Sequence, residues 1–139
     1  MVKYQIDKSQ YTNIKNGKNG KSEDGIVIPN KELTLEPPKS KSYAFCSDTA
    51  YKEDIVPIIK DVDVLYHEST FLNTEQHLCA KTKHSTAEEA ATIAKKANAK
   101  KLILGHYSTR YKLLELFKEE AENVFENVAL AEDGKVFNL

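Results

Sequence analysis

Three short segments end in residues able to do chemistry: Cys46-Ser47-Asp48-Thr49, Tyr66-His67-Glu68-Ser69-Thr70 and Gly105-His106-Tyr107-Ser108. His84 stands just ahead of a helical run. Carboxylates and imidazoles are the side chains that ligate divalent metals and carry protons near neutral pH. If the three segments are neighbouring strand ends, Asp48, His67, Glu68, His84 and His106 converge as a metal or acid–base constellation. Each residue also has a plainer use. Asp48 before Thr49 suits an Asx turn or a helix cap, His67 suits a strand-end hydrogen bond, and His84 suits a solvated position before a cap. His77 lies in a polar stretch with no partner nearby in sequence and reads as a surface residue. The joint occurrence outweighs any single residue, but it does not name a reaction.

The elements that must position these residues are read from hydrophobic spacing. Tyr43–Ser47, Val62–His67 and Lys101–Gly105 are strand candidates, and the last is continuously apolar after its lysine, as expected of a strand covered on both faces. A helical stretch is expected around Lys52–Lys60, with Pro57 in its first turn or breaking it. Ser85–Asn98 is the clearest helix: Ala87, Ala90, Ala91, Ala94 and Ala97 share a face, and Ser85 with Glu88 has the spacing of a capping box. A helix over Tyr111–Phe125 follows, with Leu114, Phe117, Ala121 and Val124 as its apolar face. Val128–Ala131 and Lys135–Leu139 are joined by Glu132-Asp133-Gly134, a hairpin signal. Strand and helix alternate, so the fold class is α/β, and its ligands belong at the carboxyl ends of the strands.

Residues 1–42 differ. They are rich in Asn and Gly, carry Pro37-Pro38, and offer only short strand-like runs at Tyr4–Ile6, Gly25–Ile28 and Leu33–Leu35. The organisation expected is one domain over residues 1–139, an irregular, edge-hairpin segment leading into an α/β core from residue 43.

Composition excludes several classes. The chain has 139 residues with 20 Lys+Arg, 21 Asp+Glu and a net charge of −1. It therefore has no global attraction for nucleic acid, and any such binding comes from a local patch or metal ions. No apolar run approaches the roughly 18 residues that span a bilayer, and no signal peptide is visible, so the expected location is the cytoplasm. The two cysteines, Cys46 and Cys79, have no CxxC spacing and read as reduced, buried residues.

Taken in order, Ser47-Asp48-Thr49, His67-Glu68-Ser69-Thr70-Phe71, His84-Ser85-Thr86 with Ala90-Ala91 behind it, and Gly105-His106-Tyr107-Ser108-Thr109-Arg110-Tyr111 resemble successive motifs of ribonuclease Z. That family is the tRNA 3′-processing endonuclease of the metallo-β-lactamase superfamily. His84 lies 36 residues beyond Asp48 and His106 lies 58 beyond it, in agreement with the family's layout. The resemblance covers residues 43–139 well and Asn13–Pro38 loosely. It implies that Asp48 bridges two zinc ions and His106 ligates one. It also implies that His84 stabilises or protonates the phosphate and leaving oxygen, with Glu68 hydrogen-bonded behind it. Arg110, Thr49 and Ser108 are weaker candidates for substrate phosphate. Ser69 stands where the family more often has Ala.

One departure counts. The family's His-x-His-x-Asp-His motif is absent, because the four histidines are 67, 77, 84 and 106. The chain therefore resembles the C-terminal half of a ribonuclease Z, one αβ half of an αββα sandwich. Asp48 and His106 supply two protein ligands where catalytic zinc usually has three, so weak or incomplete metal binding is expected. The implied substrate is precursor tRNA. The exposed face of a half-sandwich is expected to make the chain a homodimer, or to receive a partner chain carrying the missing half. The alternatives are a catalytically incomplete fragment or oligomerising α/β module, and another metallo-β-lactamase-fold hydrolase such as an arylsulfatase or phosphodiesterase relative.

Overall fold

The apolar runs after residue 42 form a four-stranded parallel sheet in a computed structural model that describes residues 4–138. The chain divides into two compact units, Met1–Ser40 and Lys41–Leu139.

The first unit holds helix α1 (Tyr11–Lys15), strands β1 (Gly20–Lys21) and β2 (Val27–Ile28), and helix α2 (Asn30–Leu33). The strands pair antiparallel as a short hairpin. Ile6, Ile14 and Ile28 form a small core, with Tyr4, Tyr11 and Leu33 against it. The Asn30 amide donates to the carbonyls of Ile14 and Lys18, at 2.6 and 2.8 Å, tying α2 to α1. The expected strand at Leu33–Leu35 is not formed. Leu33 closes α2 instead, because its side chain is taken into this core.

The second unit runs β3 (Tyr43–Cys46), β4 (Val64–Glu68), α3 (Gln76–Thr82), α4 (Ala87–Lys96), β5 (Leu102–Gly105), α5 (Glu115–Glu122) and β6 (Val128–Leu130). All three strand pairings are parallel, and the spatial order β3-β4-β5-β6 is the order along the chain. Right-handed crossovers that always add a strand to the same edge place every connection on one face of the sheet. The core follows from this. Leu65, Leu102, Leu104, Val128 and Leu130 pack against Ala87, Ala90, Ala91 and Ala94 of α4 and Phe117 and Ala121 of α5. On the other face Tyr43, Phe45, Val64, Tyr66, Ile103, Ala131 and Phe137 line an open groove of about 450 Å³. Leu102–Gly105 is buried as expected, yet helices cover one face only.

Helix boundaries differ from the periodic reading for tertiary reasons. The N-cap of α4 is Thr86, not Ser85. Its hydroxyl accepts from the Glu89 N–H at 3.1 Å, and the Glu89 carboxylate accepts from the Thr86 N–H at 2.9 Å. The Ser85 hydroxyl is diverted to the Thr49 carbonyl, 2.6 Å away. Residues 111–114 precede α5 rather than join it, and the Tyr111 hydroxyl accepts from the Leu72 N–H. The expected helix over Lys52–Lys60 shrinks to a 3-10 turn at Glu53–Ile55, since Pro57 has no N–H to continue the ladder. The expected C-terminal hairpin does not form among the described residues. β6 pairs with β5, and Phe137 turns onto the open sheet face. Helix α3 had no clear periodic signal.

Phe117 is fully buried, with the rings of Tyr107 and Tyr111 each 4.9 Å from its own. Replacing it leaves a void between α5 and the sheet. Phe117→Ala is expected to lower unfolding free energy by about 3–5 kcal/mol, measured by urea denaturation.

Candidate metal centre

Because β3, β4 and β5 are adjacent and parallel, the residues just past their ends fall side by side. Cys46 is level with His67, and Glu68 with Gly105. Asp48 follows β3 by two residues and His106 follows β5 directly, both with left-handed backbone, φ 49° and 59°. Such a conformation is costly for residues other than glycine and is held only by strong local constraints. It turns both side chains back over the sheet edge. Gly105 has its own constraint: any Cβ there would run into the Tyr66 ring, which stacks on Phe45.

Asp48, His84 and His106 each offer a ligand atom within 4.8 Å of the others. His106 Nε2 is 3.2 Å from Asp48 Oδ1, and the rings of His84 and His106 are 5.1 Å apart. Behind them lies Glu68, whose side chain is fully buried. Its Oε1 accepts from the Thr49 N–H at 3.0 Å and from His84 Nδ1 at 2.8 Å. Its Oε2 accepts from the Thr70 N–H at 3.1 Å and the Thr70 hydroxyl at 2.8 Å. Four donors compensate the burial of the carboxylate. Since a carboxylate only accepts, His84 carries its proton on Nδ1 and keeps Nε2 as the nitrogen available to the site.

The chemistry of this donor set fits a metal. The Asp48 carboxylate is exposed, and hydrogen bonding to the far ring nitrogen is how metal-ligating histidines are held. The fit is partial: Asp48 and His106 are two ligands where a catalytic metal usually has three, and His84 stands beside them with Nε2 free to carry a proton.

Of the sequence candidates, Asp48, Glu68, His84 and His106 come together. His67 does not join them. Successive strand residues point to opposite faces, and His67 shares the core face with Leu65. It is fully buried, its Nδ1 donates to the Glu68 carbonyl at 2.8 Å, and its Nε2 has no hydrogen-bond partner among the described residues. Burial pulls its pKa below the ordinary histidine value. The Thr49 hydroxyl donates to the Ala50 carbonyl. The Ser108 hydroxyl accepts from Arg110 Nε at 3.3 Å, and Arg110 Nη1 reaches Glu75 at 3.3 Å while its guanidinium lies over Phe71. His77 is exposed beside Glu75. Cys46 and Cys79 are both free, and Cys46 is half-buried rather than buried. Burial pushes the Cys79 thiol up to about 11. The residue that sequence reading left without a role is Thr70. Its signal was a hydroxyl two positions after a strand-end carboxylate, a spacing that lets Thr bond back to it.

No family model matches the chain. It is 44% identical over 131 residues to Ribonuclease Z of Parabacteroides distasonis, an alignment covering 94% of this chain and 43% of that protein. The chain is similar to ribonuclease Z along almost its whole length. It corresponds to the C-terminal part of these proteins and spans less than half the length of the curated relatives it matches. Solved structures agree on the fold. A long-form RNase Z from yeast superimposes with a TM-score of 0.58 at 31% identity, covering 66% of this chain and 12% of that one. The metallo-beta-lactamase fold protein YhfI of Bacillus subtilis gives 0.66 at 27% identity, covering 70% and 40%. The unit after residue 40 is thus an α/β half of a metallo-β-lactamase-like sandwich, and neighbours of that fold imply metal use.

His67 makes acid stability testable. The unfolded chain takes up a proton at about pH 6.5, while the folded ring resists it to lower pH. Stability is therefore intact above the unfolded value and falls as pH drops through and below it, by at most about 1.4 kcal/mol per pH unit from this group. His67→Phe is expected to lose that part of the acid sensitivity, read as the difference between the two proteins' urea midpoints at pH 7.5 and 5.5.

Proposed function

We propose that this chain is the part of a zinc-dependent endoribonuclease that carries the proton-handling histidine and half of the metal ligands for cleaving precursor tRNA at its 3′ end. The observation that carries this reading is the Asp48–His84–His106 cluster, anchored on buried Glu68 in a chain similar to ribonuclease Z. Asp48 and His106 would hold the metal. When bound, paired zinc ions supply a hydroxide near neutral pH and balance charge on the phosphoryl group.

The rest is the work of this chain's own side chains. Glu68 Oε1 holds the His84 Nδ1–H, so Nε2 is the atom that accepts a proton from solvent and delivers it to the leaving oxygen. A protonated His84 also places positive charge beside the scissile phosphate. Arg110 is a phosphate donor only if it exchanges Glu75 for substrate, and the Thr49 hydroxyl only if it leaves the Ala50 carbonyl, whereas the Ser108 hydroxyl accepts from Arg110 and keeps its own proton to give. The compartment that suits this reading is the cytoplasm, where Cys46 and Cys79 stay reduced.

The remaining ligands would come from a second polypeptide or a second copy. The open sheet face supports this: Phe45 is 62% exposed and Tyr43 51% exposed in its groove. Apolar area of that kind is normally covered. Sedimentation velocity is expected to show concentration-dependent homodimers, reduced by Phe45→Ser, and a strict monomer at all concentrations would sink the homodimer.

Zinc or manganese and an end-labelled precursor tRNA test the reaction. The chain alone is expected to give no cleavage above an Asp48→Ala control. Mixed with the N-terminal part of the Parabacteroides distasonis relative, it is expected to cut after the discriminator nucleotide. His84→Ala is expected to slow that cleavage by about 10²–10⁴-fold. Cleavage that survives Asp48→Ala would overturn the assignment.

A further inference from the structure

Thr70 sits between two groups of the site. Its hydroxyl is 2.8 Å from Glu68 Oε2 and 2.9 Å from His106 Nδ1. A hydroxyl has one proton to give, and a carboxylate has none. The Thr70 proton therefore goes to Glu68, and His106 must donate from Nδ1 to the Thr70 oxygen. Thr70 has little freedom to do otherwise. It is buried, its own N–H is bound to Glu68 Oε2 at 3.1 Å, and its carbonyl accepts from the Ser108 N–H at 3.1 Å.

We infer that Thr70 is a positioning residue that relays the acceptor character of Glu68 to His106, locking the ring with its proton on Nδ1 and Nε2 turned bare toward Asp48. The inference deepens the metal-site reading above and rests on it for its functional consequence. Glu68 acts on His84 directly and on His106 through one hydroxyl, so a single carboxylate sets both rings. The competing tautomer of His106 has a partner of its own. With the proton on Nε2, the ring would donate to Asp48 Oδ1, 3.2 Å away, and would close the metal position with an internal hydrogen bond. Without the Thr70 hydroxyl, Nδ1 loses its acceptor and this closed form gains. A hydroxyl is thus required at position 70, whereas bulk alone is not enough.

The test uses the metal-free chain with ring-¹⁵N histidine, about two pH units above the ordinary histidine value. Long-range ¹H–¹⁵N correlations are expected to show protonated Nδ1 and bare Nε2 for both His84 and His106. In Thr70→Val, His106 is expected to shift toward the Nε2–H form while His84 keeps its pattern, and Thr70→Ser is expected to restore the original. Calorimetric titration with zinc alone is expected to weaken about 10–100-fold in Thr70→Val and to recover in Thr70→Ser. A parent chain whose His106 carries its proton on Nε2 would overturn the inference, and that measurement stands even if Thr70→Val fails to fold. An unchanged His106 tautomer in a folded Thr70→Val chain would overturn it too. If the tautomer follows Thr70 but zinc does not bind even after the N-terminal part of the Parabacteroides distasonis relative is added, the positioning role is supported and the metal reading fails.

Discussion

One buried carboxylate holds the candidate site together. Glu68 ends the second strand of the parallel sheet with no exposure, and its two oxygens accept from Thr49, His84 and, twice, Thr70. Burying such a group is expensive unless every lone pair is engaged. Once engaged, it dictates geometry in return. The Thr49 N–H fixes the loop that carries Asp48, and His84 is bound directly. His106 is reached through the Thr70 hydroxyl. Three residues distant in sequence thus share one electrostatic reference.

The sheet makes that sharing possible. Strands laid down in sequence order, all parallel, place their carboxyl ends in a row and their crossovers on one face. Loops carrying Asp48, Glu68–Thr70 and His106 then emerge side by side with no extended segment needed to reach one another. The left-handed backbone at Asp48 and His106 is strain stored at that edge. Its compensation comes from the core behind, where small alanines let α4 lie close on Leu65, Leu102 and Leu104. The same topology leaves Tyr43, Phe45 and Tyr66 on the opposite, open face.

Much of this was legible. The alanine stripe of α4, the apolar face of α5, and the three strands ending in ionisable residues follow from spacing, because burial of one face imposes a period on the side chains. The motif order pointed to the family that the relatives identify. Other features were hidden. Ser85 and Thr86 both carry the capping spacing, and only the pull of the Thr49 carbonyl on the Ser85 hydroxyl selects Thr86 as the cap. His67 read as a strand-end hydrogen-bonding residue and Glu68 as a site residue, and strand alternation sends the first to the core and the second to the edge. The tail after β6 reads as a hairpin, yet Phe137 is drawn to the open aromatic groove.

What the amino-acid sequence determined by itself is the set of local commitments: where strands and helices form, which faces are apolar, and which residue types wait at the strand ends. These depend on neighbours a few positions apart, so they survive reading in one dimension. The tertiary structure alone decided which of those residues meet and in what protonation pattern. Hydrogen bonds donated by His84 to Glu68 and by His106 to Thr70 join positions 16 and 36 residues apart. Their direction follows from which partner has a proton to give, and that choice exists only once the groups are side by side.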